Sequence, residues 1–457
     1  MAKKSYEIDM CNGPLLGKIL RFSIPLMLSG VLQLLFNAAD IIVVGRFTGS
    51  DALAAVGSTG ALINLLINVF IGLSIGTNVL VARYYGARDA QGLSETVHTS
   101  VLLSFICGVI MIFVGILLAE PLLSLMGTPD NVLSQAALYM RIYFVGMPVI
   151  MLYNFGSAIL RALGDTRRPL YFLVIAGAVN VVLNLFFVIV FHMGVAGVAL
   201  ATVISQVISA GLILNCLIQS DSIYRLHLKK LHIHKDKLIG IAKIGLPAGM
   251  QGAVFSISNV LIQSSINSFG SIAMAGNTAA GNIEGFVYTS MNAIYQANLS
   301  FTSQNIGAEK YSRITKIMLL CVGIVTTVGI VLGMGATLLG KPLLSIYSSD
   351  PEVIQYGLNR MQIVCALYFL CGIMDTMVGS MRGMGYSILP MIISLTGACG
   401  LRILWIFTVF AVDRTLFVLY LSYPISWALT AAVHLICFFF ARRKLPRHDV
   451  QQESSPA

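Results

Sequence analysis

The chain has 457 residues, of which 57% are apolar and only 11% charged, and its mean hydropathy is +0.85. Soluble domains carry about 25% charged residues, so a cytosolic enzyme, a disordered chain, collagen and a disulfide scaffold are excluded at the outset. The net charge of +10 does not point to nucleic acid, because Lys and Arg fall in short clusters between long apolar runs, as in the loops of membrane proteins.

Met1 to Leu16 is polar and mixed in charge, and it leads into an apolar run longer than a signal peptide's, so no cleaved leader is expected. Apolar segments follow at 17–45, 52–82, 93–119, 131–161, 168–192 and 195–218. The longest polar stretch, 219–237, contains Leu226-His-Leu-Lys-Lys-Leu-His-Ile-His-Lys-Asp-Lys237. Six more apolar segments lie beyond it, at 238–267, 275–305, 311–339, 352–382, 386–411 and 415–440, before a basic and then polar tail at 441–457. A transmembrane helix takes about 20 apolar residues. The expectation is therefore an all-α polytopic membrane protein of twelve transmembrane helices. Its domains are an N-terminal segment (1–16), a six-helix lobe (17–218), a linker (219–237), a second six-helix lobe (238–440) and the tail. The eight Cys fall mostly inside the apolar runs without paired spacing, so they read as small buried hydrophobes rather than a disulfide framework or a zinc site.

The two halves repeat each other. Phe22-Ser-Ile-Pro25 answers Ile244-Gly-Leu-Pro247 at a spacing of 222. Tyr85-Gly86-Ala87-Arg88-Asp89 answers Ile306-Gly307-Ala308-Glu309-Lys310, Arg161-Ala-Leu-Gly164 answers Arg382-Gly-Met-Gly385, and Pro169 answers Pro390, each at 221. Six is an even number, so the halves run in the same direction and form the parallel repeats found in many secondary transporters. With the N-terminus inside, 23 of the 29 Lys and Arg sit on cytoplasmic ends and loops, leaving Arg46, Arg141, Lys341, Arg360, Arg402 and Arg414. That bias supports both termini in the cytoplasm, and the plasma membrane is the expected location.

Several landmarks together are similar to the multidrug and toxic compound extrusion (MATE) family. They are Ile24-Pro25 and Phe36-Asn-Ala-Ala-Asp40 in the first segment, then Val44-Gly45-Arg46-Phe47 followed by Ala52-Leu-Ala-Ala55. Arg83-Tyr-Tyr-Gly86-Ala-Arg-Asp89 after the second segment and Arg161-Ala-Leu-Gly-Asp165-Thr-Arg after the fourth complete the set. The resemblance spans roughly residues 10–440. It implies two lobes around a central cleft that opens alternately to either side, and cation-coupled export of amphipathic compounds, organic cations foremost. It further implies no cofactor beyond H⁺ or Na⁺, a lipid bilayer as surroundings and a monomer as the working unit.

Apart from Glu95 and Glu352 at the very ends of their segments, only three acids lie within predicted spans: Asp40, Glu284 and Asp375. Ionising a carboxylate in hydrocarbon is costly, so each is a candidate for function. Asn180 and Asn184 share one helical face in the fifth span, and Thr202 follows in the sixth. By resemblance, Asp40, Asn180, Asn184 and Thr202 form the cation-coupling site, with Asn184 standing where many relatives carry Asp. One carboxylate and several neutral oxygens suit either Na⁺, with Asp40 as its charged ligand, or a protonated Asp40. Interhelical hydrogen bonding is the competing role of the two Asn. The repeat sets Asp375 opposite Asn154. By resemblance Asp375 matches a tenth-helix acid used for coupling in one branch, whose helix-seven glutamate has no counterpart here; Gln251 and Phe255 stand nearby. Glu284, Asp375, Asn154 and Gln251 make up a secondary coupling or substrate set, with Arg402 as a candidate partner for either C-terminal acid. Pro25 and Pro247 each remove a helix hydrogen bond and permit a kink.

Enzymatic readings find no support. Gly335-Ala-Thr-Leu-Leu-Gly340-Lys341 ends in Pro342 where a phosphate loop needs Ser or Thr, and His98, His192 and His434 belong to no catalytic motif. The alternatives within transport are a flippase for lipid-linked precursors and a dedicated metabolite exporter on the same lobes.

Overall fold

The computed structural model describes residues 6–446 and Asp449. The N-terminal segment before Tyr6, with Lys3 and Lys4 of the charge count, and the rest of the polar tail, with Arg447, lie outside the described residues. The first half contains α1 (Leu15–Phe47), α2 (Ser50–Gly86), α3 (Ala90–Leu125), α4 (Asp130–Val145), α5 (Met147–Ala162), α6 (Arg167–Leu185) and α7 (Gly194–Ile218). The second contains α8 (Lys235–Asn267), α9 (Ser271–Gly307), α10 (Ser312–Leu338), α11 (Gly340–Ser345), α12 (Pro351–Arg360), α13 (Phe369–Gly383), α14 (Ile388–Ser394), α15 (Leu401–Phe407), α16 (Val409–Val412) and α17 (Leu416–Arg443).

Among the described residues, nine helices are each long and apolar enough to cross a membrane. Two bent pairs, α4 with α5 at 52° and α12 with α13 at 43°, raise the number to eleven. The twelfth is α9, 37 residues and thus about 55 Å long. It fails on composition because Asn277, Asn282, Glu284, Asn292, Gln296 and Asn298 interrupt its apolar run. Twelve elements therefore fill the twelve predicted segments. The first bend has a local cause: Gly146 ends α4, and Pro148 sits in the first turn of α5, where its missing N–H breaks no ladder. The chain also widens into π-helical turns at Phe186–Val190, Met361–Cys365 and Leu395–Gly400. Such turns are rare and concentrate at functional positions. Here they directly follow Arg360, lie two residues after Asn184 and two before Arg402.

The chain forms two compact units. One contains Leu28–Tyr85 and Asp89–Ala253 with Tyr6 and Glu7; the other contains Ile8–Met27, Gly86–Arg88 and the described residues from Val254 onward. The units thus depart from the sequence halves at two helices. The first part of α1, as far as Met27, belongs with the second half, and the first part of α8, as far as Ala253, belongs with the first. Both helices run through their prolines, Pro25 and Pro247, close to these points. In the second unit the early turns of α1 are apolar, and Ile19 and Phe22 pack with Ile294, Ala297 and Phe301 of α9. Phe22 and Phe301 meet edge to face at 5.7 Å.

In the first unit the matching contact is made by bare backbone. A methyl group on Gly72 of α2 would lie 2.3 Å from the Gly249 nitrogen, and one on Gly76 2.2 Å from the Ile241 carbonyl. Reciprocally, one on Gly245 would lie 2.6 Å from the Leu73 Cα. Two four-residue glycine spacings therefore seat α2 against α8, the small-residue packing favoured between helices in membranes. No flexible side chain is available to yield. Gly72→Val should consequently lower the thermal midpoint in detergent by more than ordinary overpacking, which costs about 1–3 kcal/mol. Gly60→Val in the same helix meets nothing within 4 Å and should stay near the parent. Equal midpoints for the two variants would contradict this packing.

Candidate cation-coupling site

Asp40 lies seven residues before the end of α1, facing α6 and α7 of the same unit. On α6 the 3.6-residue period places Asn180 and Asn184 one above the other, both buried. A directed hydrogen-bond chain connects the set. The Thr202 hydroxyl donates to the Val198 carbonyl at 3.0 Å, and the Asn180 amide donates to the Thr202 oxygen at 3.4 Å. The Asn184 amide donates to Asn180 Oδ1 at 3.3 Å and also to Asp40 Oδ1. The structure thus brings together all four residues assigned to one site from the sequence.

Asp40, Asn180 and Thr202 line a cavity of about 30 Å³, together with Gln33, Asn37, Ser205 and Gln206. That is room for a water-sized occupant. Gly177 makes the wall possible, because the Phe36 ring occupies the space a Cβ would take, 1.9 Å away. The polar balance of the site is one-sided. The chain of amide donors ends on Asp40, and Asn184 Oδ1 is buried without a hydrogen-bond partner. A buried acceptor beside a carboxylate lacks a donor or a positive charge. A proton on Asp40, or a small hard cation shared by these oxygens, supplies it; oxygen ligands suit such cations. Among the described residues no cluster of three His, Cys, Asp or Glu could hold a transition metal. Sequence reasoning missed Tyr139 and Tyr143 of α4, a stacked pair 6.3 Å apart within electrostatic reach of Asp40. Their i, i+4 spacing was visible, but nothing in it pointed to α1.

The secondary set divides between the units. Asn154 and Gln251 lie in the first, Asp375 and Glu284 in the second. Asn154 donates to the Ile150 carbonyl one turn earlier in its own helix, at 2.8 Å. Gln251 is buried in α8, one turn beyond Pro247. Asp375 on α13 lies within electrostatic reach of Tyr288 of α9 and of Arg382 and Arg402. Glu284 has a partner the sequence reading did not assign. Arg360 grips it with two bonds, Nε to Oε1 at 2.9 Å and Nη2 to Oε2 at 2.7 Å. Arg360 Nη1 also donates to Asn277 at 2.8 Å, and the guanidinium lies 5.5 and 5.3 Å from the Tyr420 and Tyr423 ring centres. Arg402, expected as a partner for a C-terminal acid, instead donates to Ser426 at 2.8 Å and stacks on Tyr423 at 4.5 Å. Among the described residues it forms no salt bridge, and its buried Nη2 has no hydrogen-bond partner.

A multi-span helical chain of two repeated units, with a titratable group in a polar cavity within one of them, defines a polytopic membrane transporter. The chain belongs to the MatE family of multidrug efflux transporters: the family pattern matches twice, at residues 25–186 and 247–408. Each match begins at one of the two helix prolines, and the spacing of 222 is that of the internal repeat. Curated relatives include the probable multidrug resistance protein YoeA of Bacillus subtilis, 29% identical over 84% of both chains. A protein of Shewanella oneidensis named FAD transporter is 25% identical over 76% of this chain and 77% of its own. A solved structure described as the outward-facing conformation of a multidrug resistance MATE family transporter of the MOP superfamily matches with a TM-score of 0.90. It covers 97% of this chain and 99% of its own at 23% identity, a likeness of fold.

Proposed function

We propose that the protein is a secondary active exporter of amphipathic organic compounds, cationic ones foremost, working by antiport with H⁺ or Na⁺ and alternating access. It acts as a monomer in the plasma membrane with both termini cytoplasmic, and it has no enzymatic activity. The observation that carries this reading is the donor-deficient site at Asp40, whose carboxylate and orphaned Asn184 oxygen call for a proton or a cation. Proteoliposomes should export a lipophilic cationic dye under an imposed H⁺ or Na⁺ gradient with no ATP present. An absolute need for ATP, or movement of lipid-linked anionic precursors alone, would refute the assignment.

A second reading, a dedicated exporter of an anionic metabolite, is favoured by Arg402, a buried guanidinium that forms no salt bridge among the described residues and has an unused Nη2 donor. The relative named FAD transporter supports the same direction. A flavin nucleotide offered beside the dye separates the two, because the preferred cargo is the one whose flux follows the ion gradient.

A further inference from the structure

The linker between the halves is docked onto the first unit. Tyr224 and Leu226 are buried in a cluster with Val97, Val101 and Leu217. The Leu226 N–H donates to the Leu217 carbonyl at 3.0 Å, and the His227 N–H donates to His98 Nε2, also at 3.0 Å. His98 lies against the Ser94 carbonyl through Nδ1 at 2.7 Å. Through Nε2 the His98 ring thus fastens the linker backbone to α3. Farther along, the His234 N–H donates to Thr99 Oγ1 at 3.1 Å.

Pinned on both sides, the single 3₁₀ turn Leu228–Lys230 is turned outward. Leu228 is 56% exposed and Ile223 48%, and Arg225, Lys229 and Lys230 are exposed around them. Among the described residues neither Lys229 nor Lys230 has an ion-pair partner. Desolvation and the charges of Lys230 and Arg225 hold the His227 imidazole below its usual range, a sign of the positive field here. The turn lies in the linker between α7 and α8, two helices long and apolar enough to cross a membrane, so it is on the side of the membrane where α7 ends and α8 begins. Two exposed apolar side chains among three cations, on a segment fastened in place, have the composition of an interfacial lipid anchor.

We propose that the linker turn around Leu228 is a docking site for anionic phospholipid, with Arg225, Lys229 and Lys230 meeting the headgroup phosphates and Leu228 and Ile223 entering the acyl boundary. The test uses the full chain in vesicles, with Leu228→Cys carrying an environment-sensitive fluorophore and the half-buried Cys11, Cys216 and Cys437 replaced by Ser. Phosphatidylglycerol added to phosphatidylcholine vesicles should shift the emission to the blue and protect the probe from iodide. In the Lys229→Gln/Lys230→Gln variant the phosphatidylglycerol needed for half the change should rise roughly five-fold per charge removed. A probe equally wet in both lipids, a double variant that responds like the parent, or the same response to soluble glycerol phosphate would each overturn the proposal.

Discussion

Replacing Asp40 with Asn should give a protein that inserts and folds but no longer couples export to an ion gradient. The amide keeps the shape of the carboxyl group and still offers an oxygen to the Asn184 amide. What it loses is the ability to take up and release a charge. A half-buried carboxylate inside a span whose neighbours are all neutral is poorly compensated, so a proton or cation should accompany it in at least one state of the cycle. Such binding moves a conformational equilibrium only by its differential affinity for the two states. Couplings of this kind are worth about 1–3 kcal/mol, so gradient-driven efflux should fall roughly 5- to 150-fold. Substrate binding in detergent should persist. Asp375→Asn should be milder, because Asp375 has the cations Arg382 and Arg402 within electrostatic reach. If Asp40→Asn exports like the parent while Asp375→Asn is inactive, coupling resides in the second unit and the assignment fails.

The Asp40 site was legible because its parts obey short-range rules. Asn180 and Asn184 share a face at i, i+4, a carboxylate inside a span stands out by its cost, and resemblance joined the three helices. The repeat was legible for a similar reason, since Pro25 and Pro247 keep their spacing whatever the packing. Long-range pairing was not. Glu284 and Arg360 are 76 positions apart, and hydropathy alone placed Arg360 near an outer helix end, with no hint that it turns inward onto Tyr420 and Tyr423. The glycines at 72, 76, 245 and 249 announce a close approach, but spacing does not say which helix approaches. Nor does any periodicity show that the early turns of α1 and α8 join the opposite unit. That depends on which apolar faces Ile19 and Phe22 fill, a property of the assembled core. His98 belonged to no motif, yet it fastens the linker, because an imidazole's use is set by the backbone it meets.

Arg360→Met should be among the most destabilising single substitutions in the second unit, and pairing it with Glu284→Gln should largely restore the loss. Both side chains are nearly inaccessible, at 9% and 5% exposure. Removing the guanidinium strands the Glu284 carboxylate and also leaves the Asn277 oxygen with only the 3.4 Å contact from the Tyr420 hydroxyl. Breaking one partner of a buried pair costs about 3–5 kcal/mol, whereas replacing both by neutral groups of similar volume is often neutral or better. Glu284→Gln alone should be gentler than Arg360→Met, because Arg360 keeps Asn277 and the two tyrosine faces. The measurement is a double-mutant cycle on the thermal midpoint in detergent, read beside efflux of the same proteins in liposomes. A structural pair predicts strong coupling in the midpoints and recovery of transport in the double variant. If Glu284→Gln instead abolishes transport at an unchanged midpoint, and the double variant stays inactive, Glu284 handles ion or substrate directly and the ion pair is a resting state of a working acid.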